Sequence, residues 1–371
     1  MAKDYHDFDT YQNRFDRSYV EHKIRKYLQK DSEIENYFTI TEKGFFLYSS
    51  PLKKTRNEPE YVLTFTEKGE ILHKEKKKSL VGAKIAIDPG HFGGEYAELE
   101  ERFIDMKVYE NGKASHPVRF NEGTLTLLTA LVLKDRLEKE GAVVFLTKDQ
   151  IGKGVYREDF FTWMQSHREF WNTSMTIPQI FRTFYNPLDL LARAERINQF
   201  RPDVTIIIHY NADDARDPAT LRTGPSNENY NMVFIPGAFS KTELAKEENR
   251  YEFLRLLVTT DEENSERLST LILREFVQVL DVPAVTQYNA APYLHRVCLK
   301  LNEGVYARNL CLTRMVHGPL CYGETLLQNN NKESLKLAKN DAEIRGISCP
   351  SRVIEVAEGY FLGIKKYFET Q

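Results

Sequence analysis

The chain has only four cysteines, Cys298, Cys311, Cys321 and Cys349, all in its last quarter. None stands at metal-type CxxC spacing, and their apolar flanks favour buried free thiols over a disulfide framework, with a structural bridge left open in an oxidising compartment. No apolar run is long enough to span a bilayer. Net charge is also lacking: the formal value of −3 leaves no excess of one sign to favour nucleic acid as the main partner. No internal repeat and no low-complexity tract interrupt the chain. The opening MAKDYHDFDT is polar throughout and reads as no signal peptide. It suits either a cytosolic protein or a mature chain whose leader has been removed.

What is present is a large apolar share, 41% of 371 residues, enough for one large core with an appendage or for two domains. Residues 1–80 form an α+β appendage in this reading. A short amphipathic helix over Tyr19–Gln29 carries Val20, Ile24, Tyr27 and Leu28 on one side. Strand-like pieces Phe38–Tyr48 and Tyr61–Leu72 follow, separated by the turn-rich SSPLKKTRNEPE. The basic run Lys74–Lys78 reads as a solvated linker.

From residue 81 the pattern alternates. Strands are expected at Lys84–Asp88, Ala142–Thr147, Asp203–His209 and Tyr230–Pro236, with short candidates at Leu310–Met315 and Leu320–Glu324. Helices are expected at Gly123–Lys139, Pro187–Phe200, Asn264–Leu280 and Arg352–Glu369. Apolar, β-branched strands alternating with helices predict an α/β domain: a largely parallel sheet flanked by helices on both faces. Insertions fall near 100–120, 151–186 and 237–262. The first holds Asn111-Gly112 between alternating runs, a β-hairpin signal. The second is rich in aromatic residues and reads as a helical elaboration with its own small core, or alternatively as a wall of a binding groove.

Three polar groups stand at the ends of these elements. IAIDPGH ends in His91 after a strand, FNEG places Glu122 at the start of a helix, and IIIHYNA places His209 at the end of a second strand. In α/β sheets such strand ends are where ligands gather. Pro89 and Gly90 turn the chain before His91, and Gly93 and Gly94 are expected to keep the next turn open for a substrate. A carboxylate opening a helix is favoured by the helix dipole. Asp88 and Asn211 are candidates for fixing a histidine tautomer or the loop shape. Two imidazoles and one carboxylate with an open fourth position form the ligand set of a hydrolytic zinc centre, although other divalent metals accept the same donors. Of the other histidines, His6, His22 and His73 lie in the appendage, His116 and His167 in insertions, and His295 and His317 have no second ligand at useful spacing.

Taken in order, the motifs resemble the zinc-dependent N-acetylmuramoyl-L-alanine amidases, the amidase-3 family of bacterial cell-wall hydrolases. IAIDPGH is similar to the family's DPGH strand end. EGTLTLLTALVLKDRLEKEGAVVFLTK matches its glutamate-opened helix and LTR-like strand, and ARAERINQFRPDVTIIIHYNA its R-x-x-x-x-N helix and SIHxNA-type strand end. PLCYGETLLQNNNKES and VIEVAEGYFLGIKKYF resemble the closing strand and helix. The likeness covers roughly residues 83–371, with Gly323 where a branched residue is expected and FGGEYAELEERF where an Asp-containing tail is usual.

The resemblance implies one Zn2+ per chain on His91, Glu122 and His209, with Glu324 as the catalytic carboxylate. It implies cleavage of the amide between the lactyl group of N-acetylmuramic acid and L-alanine. Peptidoglycan or muropeptides would be the substrate, a protein activator a partner, and the cell envelope (periplasmic or secreted) the location. Neither nucleic acid nor a membrane span is expected. Some relatives carry an inhibitory helix over the metal; Lys241–Val258, with Glu247, Glu248 or Glu252 as plug, could be its equivalent or an ordinary surface helix. The ligand set alone also allows a zinc carboxypeptidase or endopeptidase. A non-catalytic cell-wall-binding protein on an amidase fold is a third reading.

Overall fold

Residues 3–67, 69, 77–110, 113–217 and 223–370 are described by the computed structural model. Strands β1 (Phe38–Ile40), β2 (Gly44–Leu47) and β3 (Tyr61–Thr64) form a small antiparallel sheet near the N-terminus. The single strand expected over Phe38–Tyr48 is therefore two. The chain reverses between Ile40 and Gly44, where the Thr41 N–H donates to the Gly44 carbonyl at 2.9 Å. The expected helix over Tyr19–Gln29 is an α-helix, Arg17–Lys23, that continues as a π-turn over Ile24–Leu28. Most of the linker Lys74–Lys78, and the end of the Tyr61–Leu72 piece, lie outside the described residues. Lys77 is described, and its ammonium pairs with Asp203 at 2.8 Å.

The main sheet has seven strands. Along it lie β10 (Cys298–Asn302), β11 (Val305–Arg308), β9 (Met232–Ile235), β12 (Leu320–Leu327), β8 (Val204–Asn211), β4 (Lys84–Pro89) and β7 (Val143–Leu146). The pairs β7/β4, β4/β8, β8/β12 and β9/β11 are parallel; β12/β9 and β10/β11 are antiparallel. The sheet is thus mixed and largely parallel. Its β-branched strands carry side chains to both faces, as a doubly covered sheet requires. Ile85, Ile87, Ile206, Ile208, Val233 and Ile235 join one core with helices Glu122–Lys139, Asp261–Leu280 and Arg352–Glu369. Ala86, Ile207 and Leu320 point the other way, onto Ala194 and Ile197 of helix Asn186–Phe200.

The N-terminal residues share the first of these cores. Phe8, Phe15, Val20, Phe45 and Leu63 cluster with Phe253, Leu256 and Leu257 of helix Glu247–Val258. Leu310–Met315, expected as a strand, is instead a short helix over Cys311–Met315. Thr313 nucleates it: its hydroxyl accepts the Leu310 N–H at 2.9 Å and donates to the Arg308 carbonyl at 2.6 Å. A short apolar run cannot tell strand from helix, and a local side-chain cap decided it. The hairpin expected near 100–120 is formed by β5 (Phe103–Glu110) and β6 (Lys113–Asn121), antiparallel and ending at Glu110↔Lys113. Its Asn111-Gly112 turn lies outside the described residues. The aromatic stretch 151–186 builds its own core of Phe160, Trp163, Ile180, Phe181 and Tyr185 on Phe92 and Tyr96. All four cysteines are free thiols, and three are buried. Among the described residues no helix is long and apolar enough to cross a membrane.

Candidate active site

The carboxyl ends of β4 and β8 lie side by side, with Asp88 opposite Ile207 and Pro89 opposite Ile208. Pro89 ends β4, and His91 follows at φ 56°, a left-handed conformation uncommon for a residue with a Cβ. Gly90 is required by the packing itself. A Cβ there would sit 2.3 Å from Cε1 of His209, so only a bare backbone lets the two histidines approach. The imidazoles meet edge to face with centroids 4.8 Å apart.

Glu122 is the first residue of its helix, capped by Asn121, whose Oδ1 accepts the Thr124 N–H at 2.9 Å. The helix is pressed onto the DPGHFGG loop: Thr126 Oγ1 donates to the Gly90 carbonyl at 2.6 Å. Gly93 and Gly123 meet backbone to backbone, since a Cβ on Gly123 would lie 2.3 Å from the Gly93 nitrogen. The glycines after His91 were expected to open the turn to a substrate. Gly93 serves instead to seat the helix that carries Glu122, and Gly94 faces Ile151.

The three predicted ligands come together. His91 Nε2 is 3.3 Å from Glu122 Oε2, and His209 Nδ1 is 3.0 Å from Glu122 Oε1. Glu122 Oε1 also accepts the Tyr210 N–H at 3.1 Å, which ties the helix start to β8. The donor atoms all lie within 4.8 Å of one another. Nitrogen and oxygen donors about 2.0–2.2 Å from a tetrahedral ion sit roughly 3.3–3.6 Å apart, so this set suits one small divalent cation. The charges are consistent with that fit. Burial works against ionisation of Glu122, yet the two imidazoles hold it well below the usual carboxylate range. Burial would lower His91, but the carboxylates of Glu122 and Glu100 outweigh it and push the ring up to about 9. His209 is lowered, by burial first and by the neighbouring His91, against the pull of Glu122.

Glu324 lies within β12, in register opposite His209 of β8 on one side and Met232 of β9 on the other. Its half-buried side chain lines the same cavity of about 740 Å3 as His91, Glu122 and His209. Burial and the Glu122 carboxylate push Glu324 up to about 8, with the Arg308 guanidinium pulling the other way. A carboxyl in that range can both accept and return a proton near neutral pH. Arg102, the hairpin residues Phe103–Asp105 and the loop residues Ala212–Asp214 also border the cavity.

Of the other expected roles, that of Asn211 in shaping the loop is met and those of Asp88 and segment 241–258 are corrected. Asp88 is buried but reaches the Thr147 hydroxyl and, at 3.5 Å, Arg193, not a histidine. Asn211 bends the loop after β8, its Oδ1 accepting the Ala212 N–H at 2.9 Å. The carboxylate beside His91 is Glu100, 3.2 Å from Nδ1. Segment 241–258 does not border the cavity. Its Glu252 is buried against Arg255 at 2.6 Å and Lys3 at 3.3 Å, because this helix serves as core for the N-terminal residues. Glu247 and Glu248 open that same helix.

Sequence reasoning also missed Tyr322, whose ring stacks on His209 at 4.6 Å and 6°. Two residues before Glu324 on one strand, it shares that residue's face, a signal that period-two counting carries. Arg308 was missed as well; it stands between the rings of Phe234 and Tyr293, 4.9 Å from each centroid.

Several solved structures resemble this one. The CwlD amidase of Clostridioides difficile, in complex with the GerS lipoprotein, is 20% identical over 78% of this chain and 100% of its own, with a TM-score of 0.45. The apo form of Ami1, an N-acetylmuramyl-L-alanine amidase of Mycobacterium abscessus, is 15% identical over 77% and 99%, at 0.43. The catalytic domain of the amidase CwlV of Bacillus (Paenibacillus) polymyxa var. colistinus is 15% identical over 78% and 99%, at 0.41. No curated protein matches the chain. The sequence model of the amidase-3 family, N-acetylmuramoyl-L-alanine amidases, matches residues 85–347. That span holds His91, Glu122, His209 and Glu324 and most of the chain, which therefore belongs to the N-acetylmuramoyl-L-alanine amidase family.

Proposed function

We propose that this protein is a zinc-dependent peptidoglycan hydrolase that cleaves the amide between the lactyl group of N-acetylmuramic acid and L-alanine of the stem peptide. The observation that carries this reading is one cavity that joins the His91, Glu122 and His209 donors to Glu324 in a member of the amidase family. His91, Glu122 and His209 would hold the ion. When bound, zinc supplies a Lewis acid that polarises a carbonyl and acidifies water. The protein's own groups do the rest. Glu324 takes the proton from the attacking water on a carboxylate oxygen and returns it to the amide nitrogen as the amine leaves. Tyr322, stacked on His209, keeps that ring from turning away. The polar walls of the cavity suit a hydrated glycopeptide better than an apolar ligand, and the polymer's location places the enzyme in the cell envelope.

The test is zinc content together with release of free stem peptides from purified peptidoglycan, for the parent and Glu324→Gln. The expected result is one zinc per chain in both, release by the parent, and a roughly 10²–10⁴-fold slower rate in the variant. Cleavage of free peptides that lack the muramyl group would refute the bond assignment in favour of a peptidase.

A further inference from the structure

We propose that Glu100 is the positioning residue of His91, holding the ring with its Nδ1–H toward the Glu100 carboxylate so that the Nε2 lone pair faces Glu122 and the cation. This rests on the zinc reading above and adds to it a residue outside the ligand set.

Both oxygens of this one buried side chain are engaged. Oε1 lies 3.2 Å from His91 Nδ1, and Oε2 accepts the Phe92 N–H at 2.7 Å. Glu100 therefore grips two consecutive residues, the side chain of one and the backbone of the next. The grip falls where the chain needs it, because His91 holds the left-handed φ of 56° and nothing in its own covalent structure favours that turn.

The chemistry follows from the acceptor. An ionised carboxylate can only accept, so it selects the imidazole tautomer with hydrogen on Nδ1. The other nitrogen then carries the lone pair, and Nε2 is the atom 3.3 Å from Glu122 Oε2. A carboxylate behind a metal-bound histidine both fixes the ring and raises its basicity.

Glu100 is itself held. It ends the short helix Ala97–Glu100, which closes when the Arg102 N–H donates to the Ala97 carbonyl at 3.0 Å. The next residue, Glu101, turns left-handed into the hairpin and pairs with Arg182 of the aromatic insertion at 2.7 Å. The insertion thus braces the residue that braces the ligand.

The experiment uses the full chain, stripped of metal and titrated with zinc against a chromophoric chelator. Parent, Glu100→Gln, Glu100→Asp and His209→Ala are compared, the last as a broken ligand set. Glu100→Gln keeps shape and can still accept the Phe92 N–H, but it loses the charged acceptor at Nδ1. Its zinc affinity is expected to fall about 10–100-fold, while the melting midpoint of the metal-free protein stays near the parent's. In the zinc-loaded parent the His91 Nδ1 proton should resonate downfield and exchange slowly; in Glu100→Gln it should move upfield or vanish, which a purely structural role would not cause. Should Glu100→Gln fail to fold, Glu100→Asp is read in the same way, since its shorter arm also loses the Nδ1 contact. Zinc affinity within twofold of the parent in either folded variant, with the proton signal unmoved, overturns the proposal alone. A parent that binds zinc no better than His209→Ala overturns the metal reading and the proposal with it.

Discussion

Gly323 lies directly before Glu324, and the space above it is filled from far along the chain. A Cβ on Gly323 would meet Tyr360 Oη at 2.0 Å and Cζ at 2.8 Å. Both figures are below any tolerated contact, and Tyr360 is fully buried on the closing helix, so it has nowhere to retreat. Gly323→Ala is therefore an overpacking change, costing about 1–3 kcal/mol. Replacing glycine in an extended strand returns roughly 0.5–1 kcal/mol of chain entropy, so the net destabilisation should be about 1–2 kcal/mol. Tyr360→Phe removes the 2.0 Å clash but leaves the ring carbon at 2.8 Å, and should recover about half of that cost.

Alone, Tyr360→Phe should stabilise the protein by about 1 kcal/mol, because its buried hydroxyl has no hydrogen-bond partner among the described residues. The assay is urea denaturation of parent, both single variants and the double variant, which forms a thermodynamic cycle. Peptide release should fall in Gly323→Ala, since a shifted β12 carries Glu324 with it, and partly recover in the double variant. A Gly323→Ala protein as stable as the parent within 0.5 kcal/mol, or additive effects around the cycle, would refute the reasoning.

Two further outcomes are expected. Asp189 accepts the Tyr156 N–H at 2.8 Å and Arg193 Nε at 2.7 Å, both oxygens engaged in a buried position. Asp189→Ala strands the Arg193 charge and should cost about 3–5 kcal/mol, read as a lower urea midpoint; an unchanged midpoint would show that Asp88 alone suffices. Lys148 is buried with no hydrogen-bond partner among the described residues. Burial first, and then Arg193, push it down to about 7, against the pull of nearby carboxylates. The folded state then binds fewer protons than the unfolded chain between about pH 7 and the free lysine value near 10. Stability from this group accordingly rises with pH across that window, and Lys148→Met should be more stable than the parent at pH 7, with the gap closing by pH 9.5. Urea midpoints at both values check this, and equal slopes for the two proteins would sink it.

Much of the site was legible in the chain because each part carries a local signature. Apolar β-branched runs ending in His91 and His209 mark buried strands whose ends gather at one edge, and Asn121-Glu122 before an apolar run marks a helix start. Those signals belong to single elements, so sequence alone determined the two strands that end near His91 and His209, the helix that Glu122 opens, and that two imidazoles and a carboxylate stand where a cation could be held. Tertiary structure decided what depends on partners distant in the chain. Glu100 was one of four glutamates between residues 95 and 101, and only the fold of the loop turned it toward His91. The helix around Glu252 became core because the N-terminal residues covered it, and the bare Cα of Gly323 became necessary because Tyr360 stands 37 positions later above it. A periodic pattern records which face of an element is buried; it holds no record of which other segment does the burying, since that is settled when distant surfaces compete to exclude water.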